Sequence, residues 1–161
     1  MFKFMGAIMY FSALCGILAA TDEPSVVHEK AAADFTFEKL TIGMAIKNFK
    51  QLHPKARPIN KLSDDKIKLE VYETTYSDGN VSCFSMFYEE HLCHITIFYN
   101  YVSILNMGGI SVLQERLVKK LGQVPQENIV ISSNPNKVCA TWTFKRIEKA
   151  IQLEYFLRRL G

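Results

Sequence analysis

Residues 81–101 constrain this chain more than any other stretch. They read VSCFSMFY, then Glu89-Glu90, then HLCHITIFYNY. Two β-rich apolar runs flank a short polar break, the signature of an antiparallel hairpin. The hairpin is expected at the centre of an antiparallel sheet. The rest of the chain is expected to supply further strands and two helices that cover one face.

The hairpin can be taken to register. With Glu89-Glu90 as a two-residue loop, Tyr88 stands opposite His91. Side chains alternate along each strand. One face then holds Phe84, Met86 and Tyr88 with Cys93, Ile95, Ile97 and Tyr99. The other holds Cys83, Ser85 and Phe87 with Leu92, His94, Thr96 and Phe98. The first face is the more continuously apolar and is the expected core. A three-residue loop would slip the register and set His94 and Thr96 beside Met86 and Phe84, a costly change where one face is buried. Acidic residues do not favour the tight primed turns, which prefer Asn or Gly.

Residues 1–20 carry the pattern of a secretory leader. Lys3 supplies a short positive start, and an uncharged apolar run follows to Ala19. Ala19-Ala20 and the polar Thr21-Asp22-Glu23-Pro24 come next, as at a cleavage site. Leu18 stands where a small residue is preferred, so an uncleaved anchor is the alternative, although the run is just short of a comfortable membrane span. Ser12-Ala13-Leu14-Cys15 lacks the leucine three places ahead of cysteine that a lipoprotein site favours. Cys15 is therefore read as part of the apolar run. The expected location is periplasmic or secreted.

Residues 21–34 read as a linker, with a short helix allowed over 28–33, and residues 35–157 as a single domain. Phe35 and Phe37 alternate with Thr36 and Glu38, a short strand. Ile46, Phe49 and Leu52 give one side of a short helix, which Pro54 stops. Ile67, Leu69 and Val71 alternate with Lys68 and Glu70, a half-buried strand. Asp78-Gly79 is a hairpin turn into the central stretch. Ile110, Leu113, Leu117 and Leu121 recur at helical spacing, closed by Gly122 with Pro125 beyond. Residues 129–131 suit a small strand and Asn134-Pro135-Asn136 a turn. Residues 138–144 and 150–156 form a second hairpin about residues 145–149, with Ile151, Leu153 and Tyr155 on its apolar side. Residues 157–161 read as a basic end. Both helices end near a proline and lead into a loop and an alternating hairpin, a faint internal echo. The elements run β-α-β-β-β-α-β-β, which is α+β with an antiparallel sheet and two helices on one face.

At 161 residues the chain holds one domain and a leader. Its apolar content of 48% is globular. A net charge of +3 is too small to argue for nucleic acid, and Lys and Arg are scattered apart from Lys119-Lys120 and Arg158-Arg159, so no nucleic-acid partner is expected.

On these elements a resemblance can be placed. LTIGM at residues 40–44, opening a short helix, resembles the start of small envelope proteins of the outer-membrane lipoprotein A and β-lactamase-inhibitor-like group. The later pattern is similar to small exported bacterial proteins of unknown function. It runs from F-x-x-x-x-L at Phe87 and Leu92 through I-x-I-x-Y at Ile95, Ile97 and Tyr99. It continues with L-G-x-x-P at Leu121, Gly122 and Pro125, then Trp142 and I-x-L at Ile151 and Leu153. The chain departs from the lipoprotein group in lacking a lipidation box. The resemblance implies a small binding or assembly-accessory module rather than an enzyme, and assigns no functional residue.

The chemistry-bearing residues are few. Past the leader there are three cysteines, Cys83, Cys93 and Cys139. The register puts Cys83 and Cys93 on opposite faces, so they are not expected to bond. Cys139 could meet either one only if its strand neighbours the central hairpin. Buried free thiols are the expected state, with the exported compartment leaving a disulfide open. His91, Cys93 and His94 cluster beside Glu89 and Glu90, but His94 points away from the other two, and zinc needs convergent ligands. Cys93 and His94 are adjacent on a strand and point apart, so they make no nucleophile pair. No G-x-S-x-G, Walker-type loop or H-E-x-x-H occurs. Gly108-Gly109 reads as a hinge before a helix. Asn80-Val81-Ser82 matches the glycosylation triplet.

No catalytic residue, cofactor or metal is therefore expected. Phe87, Leu92 and Phe98, sharing the non-core face, are the candidate partner-facing patch. The expected role is an exported interaction or assembly-accessory module whose partner is another envelope or secreted protein. Membrane contact would come only through the N-terminal segment if uncleaved. The alternative is a small-ligand carrier with a pocket between helices and sheet. An enzyme built on Cys139, His94 or the acidic tip has the least support.

Overall fold

The computed structural model describes residues 7–12, 26–60, 62–131 and 137–156. The chain is α+β with an antiparallel sheet. In order, its elements are β1 (Ala7–Ser12), α1 (Val26–Ala33), α2 (Ile46–Leu52), β2 (Arg57–Pro58), β3 (Leu69–Tyr76), β4 (Val81–Tyr88) and β5 (His91–Tyr99). Then follow α3 (Tyr101–Asn106), α4 (Ile110–Leu121), β6 (Ile129–Ile131), β7 (Lys137–Phe144) and β8 (Lys149–Phe156). The eight strands form one sheet in the order β2-β3-β4-β5-β1-β8-β7-β6, each pair antiparallel.

One core holds the sheet to the helices. Ala32 of α1, Phe49 of α2, Ile104 of α3 and Leu113, Leu117 and Leu121 of α4 meet Tyr72, Phe87, Ile97, Trp142, Phe144 and Leu153 of the sheet. All four helices therefore feed the same side. The leucines of α4 recur at the four-residue spacing that lines one helix face. Gly122 closes α4 at φ +84°, its N–H donating to Val118 O at 2.9 Å. The indole of Trp142 donates to Gly122 O at 2.8 Å, so the helix end is fastened to β7. On α2, Ile46 and Phe49 are buried but Leu52 is exposed, because six residues past Ile46 the helix has turned away from the sheet.

The sheet has two similar halves. In the first, α2 is followed by the short edge strand β2, then β3 and β4, joined by residues 77–80. In the second, α4 is followed by the short edge strand β6, then β7 and β8, joined by residues 145–148. Asp78 and Gly79 both carry the positive φ that an Asp-Gly turn supplies. In the first half β5 pairs with β4. The matching place beside β8 is taken by β1, which also pairs with β5.

The hairpin register departs from expectation at one residue. The two-residue loop is present: Tyr88 pairs with His91 and Phe87 with Leu92. Met86 then pairs with His94, which leaves Cys93 as a bulge. The extra residue shifts β5 by one position. It lets Leu92 and then Ile95, Ile97 and Tyr99 all face the helices, opposite Phe87, Ser85, Cys83 and Val81. The core face of β4 is thus Cys83, Ser85 and Phe87, not Phe84, Met86 and Tyr88. A straight ladder would have sent either Leu92 or Ile95, Ile97 and Tyr99 outward.

Three segments differ from their sequence reading. Residues 35–40 form a tight turn, with Phe37 and Leu40 bonded to each other across Glu38-Lys39, rather than a sheet strand. The expected linker contains α1, a docked helix. Lys149 Nζ donates to Ala32 O at 2.7 Å and Ala33 O at 3.0 Å, capping its C-terminal carbonyls. Buried Glu29 faces Arg146 at 3.7 Å. Residues 7–12, inside the leader-like run, form the strand at the middle of the sheet. The expected cleavage site, Cys15, the turn at Asn134-Pro135-Asn136 and the basic end at 157–161 lie outside the described residues.

Candidate interaction surface

The bulge at Cys93 splits the expected patch. Phe87 and Leu92 are 0% and 1% exposed, in the core. Phe87 packs on Phe49 at 4.9 Å between ring centres and on Tyr72 at 5.9 Å. Phe98 stands on the opposite face and is 37% exposed. Phe87 and Leu92 are therefore corrected from partner-facing to core, and Phe98 is separated from them.

The outer sheet face of the first half carries a different apolar set. Phe84, expected in the core, meets Phe98 edge to face at 5.3 Å, a favoured aromatic geometry. Met86 and His94 pair one step nearer the tip. His94 Nε2 lies 2.8 Å from Thr96 Oγ1. Burial holds the His94 pKa below its ordinary value, so the ring is neutral at pH 7. At the outer margin Arg57 pairs with Glu73, which stands opposite Phe84. The second half's outer face is mostly polar, with Val130 exposed on its edge strand opposite Cys139. There Gln152 Nε2 donates to Cys139 Sγ at 2.7 Å, and Cys139 lies 3.7 Å from Thr141 Oγ1.

The hairpin tip is tied to its neighbours by backbone hydrogen bonds. Glu89 and Glu90 both take positive φ, 47° and 66°, which makes the loop a type I′ turn built from residues that rarely adopt it. The backbone around it supplies the restraint. Ile46 N–H donates to Glu90 O at 2.8 Å, Glu89 N–H to Lys68 O at 3.1 Å, and Leu92 N–H to Met44 O at 2.9 Å. The residues 43–46 thereby run along the tip and tie it to the start of α2. His91 Nδ1–H donates to Glu89 O at 2.9 Å, while the Cys93 thiol donates to Met86 O at 3.3 Å. His91, Cys93 and His94 are thus turned to three different partners. Among the described residues no three His, Cys, Asp or Glu side chains converge as metal ligands.

The thiols are not poised as nucleophiles. Cys83, Cys93 and Cys139 are free. Burial pushes the Cys83 thiol up to about 12 and raises that of Cys93, so both are protonated at neutral pH. His53 is held between Phe49 at 5.2 Å and Tyr76 at 5.9 Å. The Tyr76 hydroxyl lies 3.4 Å from its Nδ1, and its Nε2 is buried without a partner among the described residues. Burial lowers the His53 pKa. No acid, base and nucleophile stand within reach of one another in this group.

Two surface features had no counterpart in the sequence reading. Tyr101, Val102 and Leu105 of α3 are each about half exposed. Their signal was the Asn100 N-cap, whose side chain accepts from Ser103 N–H at 2.9 Å and which marks a helix start. A shallow open depression of about 380 Å³ lies along the outer side of α4, lined by Ser111, Gln114, Glu115, Val118, Lys119 and Gln123. Its lining brings no reactive group together. Among the described residues no helix is long and apolar enough to cross a membrane.

Comparison with known proteins returns no match: no family model, no curated protein and no solved structure is similar to this chain.

Proposed function

We propose that this chain is an exported, non-catalytic interaction or assembly-accessory module that docks a secreted or envelope protein on the outer face of its first half. The observation that carries the reading is the Phe84–Phe98 pair. It lies on the sheet face opposite the core that all four described helices share, with Phe98 open to solvent. An apolar aromatic pair rimmed by the polar Arg57–Glu73 margin has the make-up of a protein contact rather than of a solvated face. The carrier alternative is less well supported. The space between helices and sheet is filled by Phe49, Phe87, Trp142 and Leu117, each at most 4% exposed.

The test is in-cell crosslinking of the tagged full chain, followed by mass identification of what it captures. A Phe84→Ser, Phe98→Ser double variant is run beside it. The expected result is one dominant secreted or envelope partner, lost in a double variant that keeps its circular dichroism. Undiminished capture by the variant, or none by the parent, would sink the reading.

A further inference from the structure

We infer that the place between β5 and β8 is a strand-acceptor site, filled by Ala7–Ser12 in this structure and, once export removes that segment, by an extended apolar strand of a partner protein. The inference rests on the export reading above and names the partner's binding element.

The geometry is specific. β1 pairs antiparallel with β5 along all six of its residues, Ala7 to Tyr99 through Ser12 to His94. It pairs equally with β8, Ala7 to Tyr155 through Ser12 to Ala150. β5 and β8 are not themselves neighbours, so this one strand joins the two halves of the sheet. Met9 stands in register with Ile97 and Leu153, and Phe11 with Ile95 and Ile151, all four buried in the core. On the alternate positions, Tyr10 stands in register with Thr96 and Gln152. The site therefore selects a six-residue segment that is apolar at every second position and tolerant of polar groups between.

The sequence of the occupant creates the need. Residues 1–20 have the composition and order of a cleaved leader, so the strand that completes the sheet belongs to a segment that export discards. Its loss would leave two interior rows of backbone N–H and C=O groups without partners, flanked by apolar core. Such edges re-pair readily. Strand addition uses these backbone bonds for affinity and the alternate side-chain positions for selectivity.

The experiment begins with the full tagged chain, exported by a bacterial host, and the intact mass of the product. A product that keeps residues 7–12 overturns the processing step on which the inference rests. The processed product is then titrated with a fluorescein-labelled synthetic peptide of residues 6–14, and with the same peptide carrying Met9→Pro, which removes a ladder hydrogen bond. The expected result is saturable one-to-one binding, weakened at least about tenfold by the proline. A second reading uses His94→Cys with Ala150→Cys, both opposite Ser12. With the site open or filled, their Cα atoms lie two strand spacings apart, roughly 9.5 Å, beyond the roughly 7 Å a disulfide spans. Disulfide formation on mild oxidation would mean that β5 has closed on β8, and together with absent or proline-insensitive peptide binding would overturn the acceptor site while leaving the export reading intact.

Discussion

The two halves of the sheet use the same parts and finish them differently. Each has a helix closed near a proline, a short edge strand and two eight-residue strands joined by a four-residue turn. The first half builds its core from stacked rings: Phe49, Tyr72 and Phe87 lie within 6 Å of one another. The second packs aliphatic side chains, Leu117, Leu121, Ile151 and Leu153, around Trp142 and Phe144, and Trp142 also hydrogen-bonds the end of α4. Outside, the first half carries an aromatic pair and the second is mostly polar, with Val130 exposed at its edge. An element order can thus repeat while the work of packing and of binding is divided unevenly. The half with the aromatic core is also the one with an aromatic pair on its outer face.

If that division is right, Trp142→Ala should be the most damaging single change outside β1. It removes a large side chain that is 2% exposed and leaves Gly122 O without its donor. A loss of about 3–5 kcal/mol is expected. Phe49→Ala, in the half where other rings remain, should fall at the low end of that range. Urea unfolding followed by circular dichroism gives both values. Equal losses would break the contrast, and two separate transitions would show that the halves unfold independently.

Gly122→Ala sharpens the same point at the helix end. Its φ of +84° strains any L residue, and a Cβ there would come within 3.1 Å of the His28 ring on α1. Gly43→Ala, at φ +88° ahead of α2, carries the backbone strain but has no atom within 4 Å of the new Cβ. The first should cost about 2 kcal/mol and the second about 1 kcal/mol. Thermal melts of the pair isolate the clash, and equal shifts in Tm would show that α1 gives way.

How much of this was legible follows from which signals are local. β3, β4, β5, β7 and β8 announce themselves by alternation, and α4 by its leucine spacing and Gly122. The register turned on Cys93. Its only trace in the sequence is that apolar residues at 92, 95, 97 and 99 break a strict alternation by one position. Strict alternation through that break inverts β4, which puts Phe87 and Leu92 outside and Phe84 inside. α1 has no apolar periodicity; it is docked by Lys149 and Arg146 from the far end of the chain, and such partners are invisible locally. β1 is the hardest case. A short uncharged apolar run suits a buried central strand as well as a leader, and composition does not separate the two.

The tips extend the comparison at smaller scale. Glu89 and Glu90 sit in left-handed backbone at the β4–β5 turn of the first half, and Glu148, φ 48°, does so at the β7–β8 turn of the second, the turn that matches residues 77–80. Replacing Glu89-Glu90 by Asn-Gly should stabilise by about 1 kcal/mol, since those residues suit a type I′ turn. Glu148→Gly relieves one strained residue instead of two and should give roughly half as much. Chemical denaturation measures each. A loss on substituting the first tip would mean that the glutamates make contacts worth more than their strain.

The smallest expected effect is a pH dependence confined to the first half. His53 and His94 both have pKa values lowered by burial. The unfolded chain binds protons at these rings near pH 6.5, where the folded chain does not. Stability is therefore undiminished well above pH 6.5 and falls as pH drops below it, until the folded-state pKa values are passed. The two rings respond to different surroundings. His53 lies in the aromatic group of Phe49 and Tyr76, whereas His94 lies on the outer face beside Thr96. Urea titrations at pH 7.5 and pH 5.5 should show a lower midpoint at the acid end, and His94→Gln should flatten the difference. Binding of a partner on the outer face should deepen the desolvation of His94 and steepen its share, leaving that of His53 unchanged. A pH response that His94→Gln leaves intact would assign the whole effect to His53 and the inner face.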